Sequence, residues 1–431
     1  MCFSSDKKNH ITEPPRETPV AGSFDVVISG GGPAGVCAAI SAARRGAKVL
    51  LLESSGCLGG ILTSGLMSNI IDADNKGGVL REIIQEAEKM GMISGYYSCI
   101  DPEALKFILE KMVLDSGAQV QLYTRTVSAV VSPQKRLEAV ITESASGREA
   151  FLGKVFIDAT GNGDLAAYAG CRYELGSAEN LLQATSLCAL VYGPDKNTIP
   201  ELVQQGEIGK KQLYDLLKTA DAVPSYAKPT LFTLNNNGYL LMSNHQYDVS
   251  PEDIRQISEA TLAARAEIWQ QAAALRRTDP RLAGFRIAST GAAIGIREGR
   301  RINALYRLTV DDLLEGRTQP DPVCKSTFSV DIHGALKGNN GYTSAGLKVK
   351  PYDIPLRSLI AADVSGLLLA GRCISGDFYA HASYRVVGNA APIGEAAGLC
   401  AALAAEKNIT PDQVSYSEFL DAGGNPHPVN R

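Results

Sequence analysis

The chain of 431 residues is short of several things that would each point to a class. Its nine cysteines (Cys2, Cys37, Cys57, Cys99, Cys171, Cys188, Cys324, Cys373 and Cys400) include no CxxC pair, and their number is odd. A disulfide framework or thiolate zinc site is therefore not expected, and scattered thiols favour a reducing compartment. The five histidines show no HxxxH or HExxH spacing, so no metal site is expected. An excess of positive charge is also lacking: 42 Lys and Arg against 46 Asp and Glu leave −4, where a general nucleic-acid binder would be basic. No apolar run reaches the ~18–20 residues of a membrane span. Residues 1–23 are polar, contain Pro14 and Pro15, and lack the apolar region of a secretory signal. They read as a disordered lead-in, with no apolar segment before Cys2 to mark a lipid anchor. The expected location is cytoplasmic, or periplasmic if a signal has been removed.

What is present is an ordinary globular composition, 45% hydrophobic and 20% charged, in a length that suits two domains or one with an insertion. The clearest pattern is "VVISGGGPAGVCAAISAARRGAKVLLLE", residues 26–53. Residues 24–29 predict a buried parallel strand. Gly30, Gly32 and Gly35 then form G-x-G-x-x-G: Gly30 for the tight turn, Gly32 for close approach of a pyrophosphate, Gly35 for close helix–sheet packing. A helix over 33–45 starts at the phosphate through Pro33 and Ala34, where free N–H groups and the dipole favour an anion. Gly46 ends it, residues 48–52 form a second strand, and Glu53 comes 18 residues after Gly35. An acid there suits the hydroxyls of an adenosine ribose and would repel a 2′-phosphate. Ser54 and Ser55 offer no arginine for one, so FAD or NAD is indicated rather than NADP.

The rest of the chain separates those two. Residues 119–158 hold short β-rich runs ("AQVQLYT", "VSAVVS", "LEAVITE", "GKVFIDAT") that predict a small meander ending in a buried strand, where an NAD dehydrogenase would continue with βα units. The last run leads into Ala159-Thr160-Gly161-Asn162-Gly163-Asp164. Gly161-x-Gly163-x-x-Ala166 imitates a second dinucleotide turn, but no acid ends a following strand. Here the chain resembles the FAD-dependent oxidoreductases of the glutathione-reductase structural superfamily, and most of all the broad bacterial group known simply by that description. Fumarate reductase flavoproteins and thiazole-synthesis-type enzymes are more distant relatives. Four segments carry the resemblance: residues 26–53, "CLGGILTSGL" (57–66), "IDATGNGDLAAYAG" (157–170) and "LLLAGRCISGDFYAHASYRVVGNAAPIGEAAGLCAALA" (367–404).

The resemblance implies an α/β fold: a Rossmann-like, GR2-type FAD-binding domain (24–171 and 346–408) with an inserted α+β substrate domain (172–345) and a tail (409–431). It implies FAD held by the glycine turn with Glu53 and Ser54, by Gly59 and Gly60, and by Ala159, Gly161 and Asp164. Gly371, Arg372, Asn389 and Ala390 complete the cofactor set, with the helix from about residue 389 aiming its N-terminus at the flavin. No histidine occurs between Glu53 and Met90, so a histidyl-linked flavin is not expected there.

In the inserted region, "LFTLNNNGYLLMSN" (231–244) predicts a hairpin, and 250–277 a long helix capped by Ser250. Trp269, the single tryptophan, is expected to pack in a core. "GIREGRRIN" (295–303) places Arg297 and Arg301 on one face of a helix, with Arg300 off it. Arg297 and Arg301 are candidates for bidentate binding of a substrate carboxylate or phosphate, beside the bland reading of a solvated face. The densest polar group near the expected flavin is "YAHASYRVVG" (379–388), which makes His381, Tyr384 and Arg385 the catalytic candidates, His381 as base. The expected reaction is hydride transfer between a small-molecule substrate and FAD, with an electron acceptor that no motif identifies. The alternatives are a transferase or RNA-modifying enzyme scaffolded on FAD, and a non-catalytic FAD-fold binding protein.

Overall fold

Two hydrophobic cores organise the chain in the computed structural model, which describes residues 13–94, 98–203, 206–334 and 340–424. The first is built on a seven-stranded sheet. Its strands are β1 (Val20–Ser29), β2 (Val49–Leu52), β3 (Gln119–Gln121), β4 (Arg125–Val131), β5 (Leu137–Ser144), β6 (Gly147–Asp158) and β11 (Leu367–Leu369). The order is β3-β2-β1-β6-β5-β4, with β11 also paired to β6. Val26 to Ile28 and Val49 to Leu52, the stretches of β1 and β2 that pair with each other, are buried and apolar, as parallel strands covered on both faces must be. β6 is long enough to serve two arms. Its first half pairs antiparallel with β5, and its second half lies parallel between β1 and β11, with Phe156 opposite both Val27 and Leu367. The meander is therefore β4-β5-β6. The run at 119–121, expected to open that meander, instead pairs in parallel with β2 at the far edge.

Helices α1 (Pro33–Arg44), α2 (Gly78–Lys89), α3 (Pro102–Asp115) and α8 (Val387–Lys407) pack in this core. α1 and α8 touch closely because both are rich in small residues. A Cβ at Gly394 would overlap the Ala34 carbonyl oxygen, and one at Gly398 the Ala38 carbonyl oxygen. By length and composition α8 is apolar enough to cross a membrane, contrary to the expectation from the sequence, but 83% of its apolar window is buried inside the protein. β1 starts at Val20, inside the expected lead-in, and pairs there with Ala150. Residues 1–12, Cys2 among them, lie outside the described residues, as do 425–431. Within the tail, Phe419 packs into the first core.

The second core spans residues 187–294. It holds an antiparallel sheet β8-β9-β7-β10, from β7 (Cys188–Tyr192), β8 (Thr230–Thr233), β9 (Gly238–Met242) and β10 (Arg286–Thr290). β8 and β9 form the expected hairpin, with Asn236 and Asn237 in the left-handed region that asparagine tolerates. α5 (Glu207–Thr219) and α6 (Ile254–Thr278) pack on the sheet. α6 is capped by Asp253, whose carboxylate accepts the Arg255 and Gln256 N–H groups, rather than by Ser250, which sits in the turn before it. Trp269 is 53% exposed: the buried stripe runs through Ala260, Ala264, Ile268, Ala272 and Leu275, one residue off the tryptophan. Residues 302–374 pack in the first core, so the span 172–345 is shared between both.

Candidate active site

The C-terminal ends of β1, β2, β6 and β11 lie together, the usual place for a ligand in an open parallel sheet. The turn after each strand fixes its end. At β1, Gly30 turns with φ +100°, and a Cβ there would overlap the Ala159 carbonyl oxygen. A Cβ at Gly35 would overlap the Gly30 carbonyl oxygen. The protein's own packing thus requires both glycines. It does not require Gly32, which has φ −69° and no protein atom within 4 Å of a built Cβ. Room for a bound group explains glycine there. Gly32 caps α1, which has no side-chain cap and no acid in its first turn, so Pro33 and Ala34 open an anion-binding helix end. These residues fit a dinucleotide pyrophosphate.

At β2, Glu53 is 8% exposed. Its carboxylate accepts the Gly31 N–H at 2.7 Å, the Ser55 N–H at 2.7 Å and the Ser54 hydroxyl at 3.2 Å. Those donors hold it beside the glycine turn. The loop with Gly59 and Gly60 arches over the same turn: the Gly59 N–H donates to the Gly31 carbonyl at 2.8 Å, and a Cβ at Gly60 would lie 3.1 Å from the Gly32 Cα.

At β6, buried Asp158 shapes the turn through Ala159 and Gly161. Its carboxylate accepts the Thr160 N–H, the Thr160 hydroxyl and the Ala166 N–H. Burial pushes its pKa up to about 6 against those bonds. Asp164 opens α4 (Asp164–Tyr168) and binds Arg300 at 2.7 Å. Beyond β11, Gly371 takes φ +85°, and Arg372 lies against Gly161, donating to the Asn162 Oδ1 at 2.6 Å. The Arg372 Nε is buried with no hydrogen-bond partner among the described residues, and burial lowers its guanidinium pKa. Asn389 and Ala390 are buried in the first turn of α8. The Asn389 amide faces Ser326 (3.0 Å) and Cys324 (3.6 Å), so its side chain ties the helix to that neighbouring strand and is not directed to the glycine turn.

The expected catalytic trio separates. All three belong to α7 (Phe378–Tyr384) and its C-cap. Tyr384 is fully buried, donates to the Ile374 carbonyl at 2.8 Å and packs edge-on against His381, which makes it a wall residue. His381 is also fully buried, and among the described residues neither ring nitrogen has a hydrogen-bond partner. Burial and the positive charges of Arg301, Arg385 and Arg372 hold it neutral, its pKa far below the usual histidine range. It has neither the access nor the acid neighbour of a general base. Arg385 is largely buried, its side chain 11% exposed, and it turns towards Asp331.

The arginine run is not helical. Gly295 bridges to Ser186 in extended chain, and Arg301–Ile302 pairs with Tyr173–Glu174. Two close glycine contacts enforce this: a Cβ at Gly299 would crowd the Gly161 carbonyl, and one at Gly295 the Ser186 carbonyl. Arg301 is buried on Glu298 at 2.5 Å and on the Gly376 and Gly176 carbonyls, a structural role. Arg297 points the other way and is half-buried at the seam between the cores.

At that seam lies a group that no sequence pattern singled out. Asp331 Oδ2 meets His333 Nε2 at 2.9 Å, and His333 Nδ1 meets His245 Nε2 at 3.1 Å. His245 stacks on Tyr226, with centroids 4.1 Å apart, and its Nδ1 lies 3.4 Å from the Tyr247 hydroxyl. Arg385 Nη2 donates to the Asp331 carbonyl oxygen at 2.8 Å, and lies 3.4 Å from Asp331 Oδ2 and 3.3 Å from Gln183 Oε1. Gln183 continues to Glu298, whose neighbour Gly299 abuts Arg372. One polar network thus runs from Glu298 through Gln183, Arg385 and Asp331 to the histidine pair. Burial alone would raise Asp331, but His333, Arg385 and Arg297 outweigh it and hold the carboxyl well below its usual range. Burial and Arg297 pull His333 down to about 4, only partly opposed by Asp331, and pull His245 lower still. Both imidazoles are neutral near pH 7. The only hint in the residues is Asp331 two positions before a histidine.

Among solved structures, the chain is similar in fold to a geranylgeranyl bacteriochlorophyll reductase-like protein from Thermoplasma acidophilum, at 13% identity and a TM-score of 0.49, covering 93% of this chain and 82% of that one. It is similar also to the flavin-dependent brominase Bmp2 (12%, 0.48, 93% and 82%) and to the myxobacterial chondrochloren halogenase CndH (12%, 0.48, 93% and 78%). The family model described as FAD dependent oxidoreductase matches residues 25–422, nearly the whole chain, so the protein belongs to that family and is an FAD enzyme.

Proposed function

We propose that the protein transfers hydride between a small organic substrate and non-covalently bound FAD, with the substrate at the seam between the two cores. Gly32, the first turn of α1, Glu53, Gly59 to Gly60, Gly161 and Arg372 would hold the cofactor, which supplies the two-electron chemistry when bound. The observation that carries the reading is the Asp331–His333–His245 line beside Arg385, because a hydride leaving an alcohol or amine carbon requires a second group to take the O–H or N–H proton. Asp331 is ionised, and His333 and Arg385 engage its Oδ2. Among the described residues, that leaves Oδ1 to take the proton, or to return it in the reverse direction. His333, oriented by His245, fixes the carboxylate's position. Arg297 and Arg385 are the candidate substrate anchors.

The test is anaerobic. The yellow protein is mixed with a panel of hydroxy acids, amines and polyols, and bleaching of the flavin band near roughly 450 nm is followed. One donor class should bleach it, and Asp331→Asn should slow that bleaching by roughly 10²- to 10⁴-fold with FAD content unchanged. Bleaching by dithionite but by no donor, or an unchanged rate in the variant, would refute the proposal.

A further inference from the structure

The seam carries more positive charge than the described residues balance. Arg297 Nη1 donates to the Ala184 carbonyl at 2.7 Å and to the Ser186 hydroxyl at 2.9 Å, while Nη2 reaches only the Met242 sulfur at 3.7 Å. Among the described residues, no ion pair within 4.0 Å includes Arg297. Among the described residues Arg385 has one acid within 4.0 Å, Asp331 at 3.4 Å, which it shares with His333, and its buried Nε has no hydrogen-bond partner there. Burial lowers both guanidiniums, Arg385 to about 10, as expected of charges held without enough compensation.

The neighbours do not close the balance. His245 and His333 are neutral, and burial raises Tyr226, Tyr247 and Tyr342, which are neutral too. So is Cys188, pushed up to about 12. Glu298 is taken by Arg301, and Glu207 by Lys228 and Lys210. Two guanidinium charges therefore face one carboxylate, an excess of one. A cation buried at that cost is kept where a partner of opposite charge arrives to meet it.

On the reading of this seam as the substrate site, we infer that the substrate is a small organic carboxylate whose anionic group docks on Arg297 and Arg385. The guanidinium fork matches a carboxylate in bidentate fashion, and an excess of one positive charge matches a monoanion better than a phosphate of charge nearer −2. Met242 and the partly buried Met67 and Leu190 give the seam an apolar flank for the remainder of such a molecule.

The probes are acetate, benzoate, acetamide, benzamide and inorganic phosphate, titrated into the FAD-loaded protein and followed by calorimetry and by the flavin difference spectrum. At least one carboxylate should bind saturably and at least tenfold tighter than its amide. Arg297→Gln and Arg385→Gln should each weaken it at least tenfold, and Arg297→Lys, which keeps the charge but loses the fork, by less. FAD content and the unfolding midpoint identify any variant that has lost its fold, and the remaining variants then decide. Equal binding of acid and amide, tighter binding of phosphate, or unchanged affinity in the folded arginine variants would overturn the inference. Binding needs no turnover, so the two readings fail separately. A neutral donor that bleaches the flavin without carboxylate docking removes only the substrate class, and docking without any bleaching removes only the hydride reaction.

Discussion

The glycine turn offers a perturbation in which fold and cofactor binding should come apart. In Gly32→Ala the new methyl meets no protein atom within 4 Å, and φ −69° suits alanine. The apoprotein should therefore keep its stability, or gain up to about 1 kcal/mol because the unfolded chain is less free. The methyl would instead occupy the place reserved for close approach of the pyrophosphate. Crowding a well-packed contact by one methyl costs about 1–3 kcal/mol, which is roughly 5- to 150-fold in the dissociation constant for FAD. Gly35→Ala should do the reverse. Its Cβ would run into the Gly30 carbonyl, backbone against backbone, so the loss falls on the fold itself. The assay pairs chemical unfolding of each apoprotein with titration of FAD followed by flavin fluorescence. If Gly32→Ala binds FAD as tightly as the parent, or if Gly35→Ala unfolds at the parent's denaturant concentration, the division of labour assigned to these glycines is wrong.

The second core and the seam supply two further outcomes. His333 titrates near 4 in the folded protein against an ordinary value of 6.5, so between those pH values the unfolded chain binds a proton that the folded chain refuses. Stability should thus fall as pH drops from 6.5 towards 4, by on the order of 3 kcal/mol. His333→Gln should flatten that slope in urea unfolding at a series of pH values, and a slope identical to the parent's would rule the account out. Trp269 is the chain's only tryptophan and is half-exposed, so iodide should quench most of the intrinsic indole emission. Trp269→Gln should shift stability by no more than about 0.5 kcal/mol; protection from iodide would place the ring in the core after all.

How much of the fold and the site is legible in the residues depends on how local each cause is. The β1–turn–α1–β2 unit, ending in Glu53, is contiguous, and Gly35 answers Gly30 within it, although Gly30 itself answers Ala159 on the neighbouring strand's turn. The hairpin at 231–244 is equally local. Trp269 misleads because size does not mark the buried face of its helix. In α6 the buried stripe is made of alanines, Ile268 and Leu275, because the sheet beneath lies close, and helical phase leaves the large ring outside. The arginine run misleads for a different reason. A period of four suggests a helix over 297–301, but Gly295 and Gly299 are held against carbonyls of Ser186 and Gly161, more than a hundred residues away in the chain. Those contacts impose an extended path that no local pattern announces.

The same distinction explains why proton transfer is proposed for the line of Asp331, His333 and His245 and not for His381. His381 is near the cofactor motif in sequence, but phase, not nearness, decides what a helical residue faces. Asp377 accepts the Ala380 N–H and also the Val310 N–H, which fixes the rotation of α7 and turns His381 inward among three guanidiniums. A proton acceptor needs the opposite surroundings, a partner that holds it in place at one side and a route to the substrate at the other. Asp331 has His333 at 2.9 Å, and the other nitrogen of that ring meets His245, 88 residues earlier in the chain. A chain that leaves the first core and returns brings its most distant segments together at the seam, which is also where the proposed function puts the substrate. In such a fold the residues that hold the cofactor can be read from contiguous motifs, and the residues that meet the substrate are those the sequence keeps furthest apart.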